Sequence, residues 1–599
     1  MSGRPSTSPI GGQTSMRRRT FLAATLAAAA SAGSACGFSN GSGGSTPESG
    51  SAESNEPKRG GTLRQTMMPV THLDPAVAGN ASFGQILMVG LWEGLVVVNA
   101  DDPSKVLPGA AESWDISNDG LIYTFHVREN AKWSNGQAVT ASDFEWNWKR
   151  ILTPGVAGEG NPSFNPGRVN VAGAADYMSG ENGNFADVGA KALDDLTFEL
   201  RLDAPNSDLL IYLSQFWALP LHPATVEENG EEWLNPQIWV GNGPYILDEF
   251  RVNQGAVLLS NDQYWDSENY YISRWEVSFN DGGTTFDLLS YQQNEIDITG
   301  RIEDDLEAVT TSDVADEIAS SPTNQFRNLT VFNSRHPALH DVRVRQALSL
   351  AIDREALGEI SKPAIPGNSL IPEGVESSEE IPGVEHDVDA ARELLSDAGY
   401  ADGDGMPVIN LVHHQNIPWV EAIAEMWRED LGIDARLDVL ERGVYLEKLK
   451  VLLHPEDYVG FFVFNNSVQP PTLLGAAHSS VGSSARTYGV NLAPVEVAEE
   501  LDIARSQGAT DIELAQILKG RRHPEVEHVS DLAERAIREE DPEAQHRLAV
   551  ESAVAKDEAY VSIPVLWGGY YLLINPRVNN LKLWHHTTVF TTRGVWLDR

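Results

Sequence analysis

The sequence predicts a mixed α/β fold in which antiparallel strands come first and an α/β arrangement follows. Apolar and polar residues alternate over residues 121–127 and 196–202, which is typical of half-buried strands. Helical spacing followed by a second alternation appears between residues 408 and 439. The chain has 599 residues and is 41% hydrophobic, so it can bury a large core.

The early strand signals lie in two segments with a period of two. A turn signal, Asn118-Asp119-Gly120, precedes the first segment. The apolar positions of the two segments are Leu121, Tyr123, Phe125 and Val127, and then Leu196, Phe198, Leu200 and Leu202. Because only one face of each segment is apolar, we expect antiparallel strands with one face on the core.

The later part of the chain changes its period. The apolar run from Val408 to Val412 predicts a buried strand, and Gly432 marks the end of the helix that follows. The apolar positions of that helix are Trp419, Ile423, Met426, Trp427 and Leu431. Alternation resumes from Ile433 to Val439, so the segment predicts a βαβ unit.

A further helix is predicted to begin at Asp341, whose short carboxylate is a favoured N-cap. Its apolar stripe is formed by Val344, Leu348, Ala351 and Ile352.

The charge of the chain excludes one class of partner, and its hydropathy gives no membrane-spanning helix. Asp and Glu number 86 against 43 Lys and Arg, so the formal net charge is −43. Such a surface repels phosphate backbones, and nucleic acid is excluded as a partner. No run of 18 or more uncharged apolar residues occurs, so no helix long enough to span a membrane is predicted.

The first 35 residues predict an export signal. Arg17, Arg18 and Arg19 precede Phe21-Leu22 and an uncharged, alanine-rich run that is too short to span a membrane. The spacing resembles a twin-arginine signal, with Arg18 and Arg19 as its pair. Gly33-Ser34-Ala35-Cys36 resembles a lipobox, although Gly33 stands where a larger apolar residue is usual.

Cys36 is the single cysteine and the predicted site of lipid attachment. Two acyl chains would hold the protein at the outer face of the cytoplasmic membrane, on the cell surface or the periplasmic side. The alternative is an ordinary secretory signal with an incidental cysteine. Residues 36–59 are rich in Ser, Gly and Glu and predict a flexible tether.

The sequence contains no convincing catalytic motif. Gly37-Phe38-Ser39-Asn40-Gly41 matches the G-x-S-x-G pattern, but it lies in the tether and lacks the required strand and helix. The H-E-x-x-H metal motif and the phosphate-binding P-loop are absent. We therefore expect a non-enzyme without cofactor or metal, and a secreted hydrolase is the less favoured alternative.

Many ordered motifs after residue 60 resemble the extracytoplasmic solute-binding proteins of oligopeptide, dipeptide and nickel ABC importers, family 5. The clearest match runs from Pro108 to Phe144 and includes Ala111-Glu112-Ser113-Trp114, Asp119-Gly120, Trp133-Ser134-Asn135-Gly136 and Thr140-Ala141-Ser142-Asp143. Further matches are Gly60-Gly61-Thr62, Leu73-Asp74-Pro75, Trp92-Glu93-Gly94-Leu95, Gly243-Pro244-Tyr245, Asp341-Val342-Arg343 and Ile563-Pro564-Val565. Residues 475–545 match the family pattern poorly.

This resemblance implies a two-lobed periplasmic-binding-protein-like fold of class II that closes on its ligand by a hinge motion. It implies lobe I over 60–300 and 557–599, with an inserted subdomain at about 100–205, and lobe II over 301–556. It also implies separate ABC permease and ATPase subunits as partners. The binding protein itself is expected to be a monomer.

Peptide-binding members of the family carry a tryptophan and, three residues later, an aspartate that pairs with the ligand's ammonium. Aligned on Pro471-Thr472, this chain has Phe464 and Ser467 at those positions, with Asn465 and Asn466 between them. A buried ammonium without a counter-charge costs several kcal/mol, so the change disfavours a free peptide. Phe464 could stack on a neutral, hydroxyl-rich or blocked solute, so peptides and oligosaccharide-like solutes both stay open; a purely structural strand end is a third interpretation.

Two other segments are predicted to line the cleft. His413 and His414 follow a predicted strand, where the family often places a ligand loop; a metal site and a surface role are alternatives. Met68, Thr71 and His72 precede Leu73-Asp74-Pro75 and are candidates for the opposite wall.

Overall fold

The computed structural model describes the part of the chain that follows the predicted export signal. The described residues are 56–77, 84–102, 104–154, 156, 169–280, 283–300, 302, 306–321, 323–415, 417–451, 453–468, 471–478, 492–507, 509, 514, 517–584 and 590–598. The predicted export signal with Arg18 and Arg19, the predicted lipid-attachment site Cys36 and most of the predicted tether lie outside these residues.

The strands are numbered in chain order. They are β1 (Thr62–Met67), β2 (Val96–Val98), β3 (Val106–Pro108), β4 (Ala111–Ile116), β5 (Ile122–Val127), β6 (Ala190–Ala192), β7 (Thr197–Arg201), β8 (Tyr245–Arg251), β9 (Gly255–Ser260), β10 (Arg274–Phe279), β11 (Ile318–Ser320), β12 (Gln325–Val331), β13 (Ile365–Pro366), β14 (Ile409–His413), β15 (Ala435–Val439), β16 (Val459–Ser467), β17 (Ser562–Gly568), β18 (Tyr571–Leu573), β19 (Val578–Asn579) and β20 (Trp596–Leu597).

The α-helices are numbered in the same way. They are α1 (Gln85–Leu91), α2 (Ala141–Leu152), α3 (Ala174–Ser179), α4 (Leu209–Leu213), α5 (Pro223–Asn229), α6 (Gly283–Gln292), α7 (Leu306–Thr310), α8 (Val342–Leu350), α9 (Arg354–Ile360), α10 (Val388–Asp397), α11 (Pro418–Leu431), α12 (Arg442–Lys450), α13 (Leu473–His478), α14 (Val495–Ser506), α15 (Pro524–Arg538) and α16 (Pro542–Glu558).

The first lobe is built on two four-stranded sheets. One has the order β1-β10-β9-β8, with β1 parallel to β10 and the other pairs antiparallel. The other has the order β4-β5-β7-β6 and is antiparallel throughout, which confirms the strands predicted at residues 121–127 and 196–202. One hydrophobic core covers both sheets and includes the side chains of Trp92, Phe125, Phe198 and Trp275.

The inner face of the antiparallel sheet is covered by α2. Thr140 and Asp143 form a capping box at the start of this helix, so the first turn satisfies its own backbone donors. Phe144 then packs against Phe198 of β7, with ring centroids 6.0 Å apart, and both Phe144 and Trp148 are buried. The sequence Thr140-Ala141-Ser142-Asp143 therefore fixes where the helix begins.

The second lobe contains a mixed six-stranded sheet with the order β13-β17-β12-β16-β14-β15. The unit β14-α11-β15 is the predicted βαβ, because β14 and β15 are parallel. Gly432 ends α11 with a positive φ of 68°, a conformation that glycine adopts without strain. Asp341 caps α8 as predicted and accepts a hydrogen bond from the backbone N–H of Arg343.

Two chain segments run side by side between the lobes. Ile298 forms a parallel bridge with Gln65 and an antiparallel bridge with Ile574. The backbone N–H of Thr299 donates to the carbonyl of Leu573 at 3.1 Å. Because β17 belongs to the second sheet, we propose that the chain returns to the first lobe after Gly568 rather than near Asp557.

Among the described residues, none of the helices combines the length and the apolar character needed to cross a membrane.

Candidate functional site

Two of the segments predicted to bind ligand end at the same edge of the six-stranded sheet of the second lobe. β14 and β16 are parallel, with Val412 opposite Phe462. The histidines at the end of β14 therefore lie beside the last residues of β16. Ligands of open α/β sheets bind outside the carboxyl ends of parallel strands, which is where this register places both segments.

The two histidines form an aromatic cluster with Tyr445, which lies on α12, and the rings are tilted or edge-on to one another. The ring centroids of His413 and His414 are 4.2 Å apart, and that of Tyr445 is 5.7 Å from His413 and 5.4 Å from His414. The Tyr445 hydroxyl donates to the carbonyl of Val463 at 3.2 Å. Burial raises the pKa of Tyr445, so its hydroxyl stays protonated as a donor. Tyr445 thus joins the histidine segment to β16.

Phe464 continues this aromatic wall along β16. Its ring centroid lies 6.2 Å from that of Phe462, which in turn is 6.0 Å from Tyr445. Side chains two residues apart on a strand point to the same face, so Phe462, Phe464 and Asn466 share one face of β16. Phe464 is half-buried, while Phe462 is buried. The wall therefore becomes more exposed toward the end of the strand.

The base of the wall consists of aromatic rings, and the ammonium of Lys448 lies 3.8 Å from the ring centroid of one of them, Tyr458. Phe332 stacks on Tyr458 with centroids 5.2 Å apart and lies 4.8 Å from His454. Burial, helped by the positive charge of nearby Lys448, lowers the pKa of His454 to about 4, so this imidazole is neutral at physiological pH. Rings of this kind offer a solute a large apolar contact area.

The three polar residues that follow Phe464 have different surroundings. Asn466 donates to the side-chain oxygen of Asn328 at 2.9 Å, and Asn328 is fully buried among hydroxyl groups of the sheet. Asn465 is exposed and pairs with Arg327 of β12, and Ser467 is half-buried opposite Gln325. Asn466 is thus partly committed to the sheet, whereas Asn465 is the more accessible amide.

The third predicted segment belongs to the first lobe and follows β1. Met68 is half-buried and Thr71 is exposed. His72 accepts a hydrogen bond from the backbone N–H of Asp74 at 2.8 Å through Nδ1. Asp74 in turn forms an ion pair with Arg150, so this loop is fixed to α2. The structure therefore places His413, His414 and Phe464 in one series of rings, linked through Tyr445 and Phe462. It places Met68, Thr71 and His72 on the other lobe.

The sequence did not predict two contributors to this region. Tyr445 lies in a helix without a clear apolar stripe, and its contact with the histidines depends on the packing of α12 against the sheet. Asp208 reaches Thr472 across the lobes, a pairing between residues far apart in the chain. No local sequence signal marks either contact, since both arise from tertiary structure.

The described residues contain no group of three or more His, Cys, Asp or Glu side chains arranged to hold a metal ion.

Comparison with known proteins identifies a family. The model for bacterial extracellular solute-binding proteins, family 5 middle, matches residues 105–469. The periplasmic oligopeptide-binding protein OppA of Salmonella typhimurium is 31% identical over 60% of this chain, and the match covers 66% of that relative, just under two thirds of its length. The periplasmic murein peptide-binding protein MppA of Escherichia coli is also 31% identical, and the match covers 63% of this chain and 70% of the length of MppA.

Solved structures show the same fold. The Haemophilus influenzae OppA complex with the peptide RPPGFSPFR has a TM-score of 0.69 at 20% identity, covering 91% of this chain and 100% of that one. The Escherichia coli murein tripeptide-binding protein MppA has a TM-score of 0.68 at 23% identity, and the match covers 90% of this chain and 99% of that one. These likenesses confirm the mixed α/β, two-lobed fold expected from the sequence.

Proposed function

Because this chain belongs to the bacterial extracellular solute-binding proteins of family 5, we propose that it captures peptide-like solutes outside the cytoplasmic membrane and delivers them to an ABC permease. The observation that carries the proposal is the meeting of His413, His414 and Phe464 at the carboxyl edge of the second sheet. The family consists of substrate-binding proteins, so the chain is assigned a binding role rather than catalysis.

The ligand is bound between two walls in this proposal. The second-lobe wall is formed by Phe464, His413 and His414, with Asn466 on the same face of β16. Asn465 and Ser467 lie on the opposite face and offer polar contacts at the end of the strand. The first-lobe wall is formed by Met68, Thr71 and His72. A ligand that contacts both walls stabilises the closed form, and this is how binding is coupled to hinge closure.

Oligopeptides or dipeptides are the first candidate ligands, since the named relatives bind oligopeptides and murein peptides. The second candidate is a neutral solute such as an oligosaccharide. It is favoured by one observation: positions 464–467 carry Phe, Asn, Asn and Ser and no carboxylate. A free ammonium placed there would lack its counter-charge, whereas hydroxyl or blocked amide groups would find donors and acceptors.

The route of export and the anchor complete the proposed role. Arg18 and Arg19 direct export through the twin-arginine route, and Cys36 carries the lipid that holds the protein at the outer face of the membrane. The tether then separates the folded body from the lipid surface. ABC permease and ATPase subunits are the partners of the bound form, which acts as a monomer.

Native mass spectrometry of gently purified protein tests the binding role, because a closed cleft retains its solute. Titration calorimetry should then compare free tripeptides, N-acetylated tripeptides and neutral oligosaccharides. We expect Phe464→Ala to weaken binding of the retained class at least tenfold. Phe185→Ala, which removes a half-buried ring in the inserted subdomain, serves as the matched control. Equal effects of the two variants, or turnover of a bound glycoside or peptide, would contradict the proposal.

A further inference from the structure

One hydrogen bond joins the two lobes away from the paired crossing segments. The hydroxyl of Thr472 donates to Oδ2 of Asp208 at 2.7 Å. Asp208 begins α4 and adjoins Leu209 of the first-lobe core, while Thr472 precedes Leu473, which belongs to a separate core of the second lobe. Their exposed fractions are 5% and 9%. The contact is therefore formed inside an interface from which water is largely excluded.

Both residues are held in place by the starts of short helices. The Thr472 hydroxyl accepts from the backbone N–H of Gly475 at 2.9 Å, and its carbonyl accepts from Ala476 at 3.0 Å. On the other side, the carbonyl of Asp208 accepts from Tyr212 at 2.9 Å. The Thr472 hydroxyl thus caps α13 while its proton points to Asp208. This pre-organisation reduces the entropy lost when the lobes meet.

The surroundings of Asp208 make this donor important. Burial and the negative charge of Glu376 raise the pKa of Asp208 to about 6, even though the hydrogen bond from Thr472 opposes the rise. Glu376 lies on the second lobe next to Thr472, because its backbone N–H donates to the carbonyl of Pro471 at 3.0 Å. Ser207 and Gln545 add a second, exposed contact between the lobes at 3.3 Å.

We propose that Asp208 and Thr472 form an interlobe latch that sets how long the closed protein retains its ligand. In this proposal the arrangement that holds the bond is the closed one, and opening the lobes breaks it, because Asp208 and Thr472 lie on different lobes. Thr472 follows Ser467 of the proposed ligand wall by only five residues. Ligand contact at the end of β16 and latch formation therefore stabilise the same closed arrangement. The proposal rests on the binding role described above.

A set of variants separates the latch from simple helix capping. Thr472→Val leaves the Asp208 carboxylate buried without its donor, whereas Thr472→Ser retains both hydrogen bonds. Asp208→Asn removes the charge and keeps an acceptor, so it should restore Thr472→Val in the double variant. If Thr472 acted only as the cap of α13, Thr472→Val would have the same effect in either background. Asp387→Asn is the matched control, since Asp387 caps α10 in the second lobe and accepts from Ala390.

Two measurements on the full-length protein report lobe closure and ligand retention separately. Small-angle scattering at pH 7.5, after ligand has been removed by unfolding and refolding, reports lobe separation without any ligand. Stopped-flow dissociation of a pool of free and N-acetylated tri- to pentaalanines reports retention. We expect Thr472→Val to increase the radius of gyration and to speed dissociation about tenfold, as for the loss of one hydrogen bond to a charged group.

The remaining outcomes decide between the two proposals. Unchanged lobe separation and dissociation in Thr472→Val, or no restoration by Asp208→Asn, would overturn the latch. If the wild-type protein binds none of the peptides, the peptide assignment fails. The latch is then decided by scattering alone.

Discussion

Arg577 donates two hydrogen bonds of 2.7 Å, from Nε and Nη2, to the fully buried carboxylate of Asp297. Arg64 donates to the same carboxylate from its backbone N–H at 2.8 Å. Asp297 directly precedes the segment in which Ile298 pairs with both Gln65 and Ile574. The Asp297 carboxylate therefore joins three segments. These are β1, the segment at Ile298 that leads to the second lobe, and the segment at Ile574 that returns from it. This carboxylate fixes the first-lobe ends of the two segments that run side by side between the lobes.

Arg577→Met should destabilise the protein by about 2 to 3 kcal/mol, because it removes a partner from a buried charge, although Arg577 itself is one-third exposed. Guanidinium unfolding monitored by tryptophan fluorescence measures the change. Arg274→Met is the control, since Arg274 pairs with Glu276 at a more exposed site and should change stability by less than about 1 kcal/mol. A similar loss in both variants would argue against the role given to Asp297.

The same carboxylate has a defined pH dependence. Burial alone raises the pKa of Asp297, but the hydrogen bonds from Arg577 and Arg64 outweigh it, so the pKa lies below its ordinary value of 3.8. For a lowered carboxyl pKa, the stabilisation is present above the ordinary value and is lost as pH falls through the folded-state value. We therefore expect the stability difference between wild type and Asp297→Asn to shrink below about pH 4. Unfolding curves from pH 3 to pH 7 measure it.

Tyr445 offers a separate test of the ligand wall. Tyr445→Ala removes the ring that packs on both histidines, so ligand affinity should fall about tenfold. Tyr445→Phe keeps the ring and loses only the hydrogen bond to Val463, so its affinity should change less than about threefold. Calorimetry with the solute retained by the purified protein measures both. Equal losses in the two variants would show that the hydroxyl, rather than ring packing, positions the wall.

Ser467→Asp tests why the family's usual carboxylate is missing. Ser467 lies at the end of β16, where a new carboxylate could pair with a peptide ammonium. We expect affinity for free tripeptides to rise at least tenfold, with no rise for N-acetylated tripeptides. Ser467→Asn is the matched control, since it adds a side chain of the same size as Asp without the charge. Tight binding of free tripeptides by the wild-type protein would contradict the inference drawn from Ser467.

Much of the fold followed from local patterns because those patterns report burial on one face. The alternation at Tyr123 and Phe125 gave an antiparallel strand, and the apolar spacing ending at Gly432 gave the βαβ unit. The parallel pairing of β1 with β10 was not predicted, since Thr62 and Arg274 are 212 positions apart and no local signal sets their register.

The site was predictable only as segments. The motifs placed His413, His414 and Phe464 near a cleft, and the parallel register of β14 and β16 explains why they meet. Tyr445 and the Asp208–Thr472 bond depend on how α12 and the lobes pack, so residue spacing could not reveal them.

The latch leads to a pH dependence of ligand retention. Burial in the closed form raises the pKa of Asp208 to about 6 from its ordinary 3.8, so closing the lobes favours the protonated acid. A raised carboxyl pKa gives a stabilisation that is complete below the ordinary value and is lost as pH rises through the raised one. Between about pH 4 and pH 6 acidification therefore favours the closed state, by at most roughly 2 to 3 kcal/mol.

Ligand dissociation should slow as pH falls from 7 to 5, and Asp208→Asn should remove most of this dependence while Asp387→Asn keeps it. Stopped-flow rates at four pH values measure it, and an unchanged slope in Asp208→Asn would assign the pH dependence to another group.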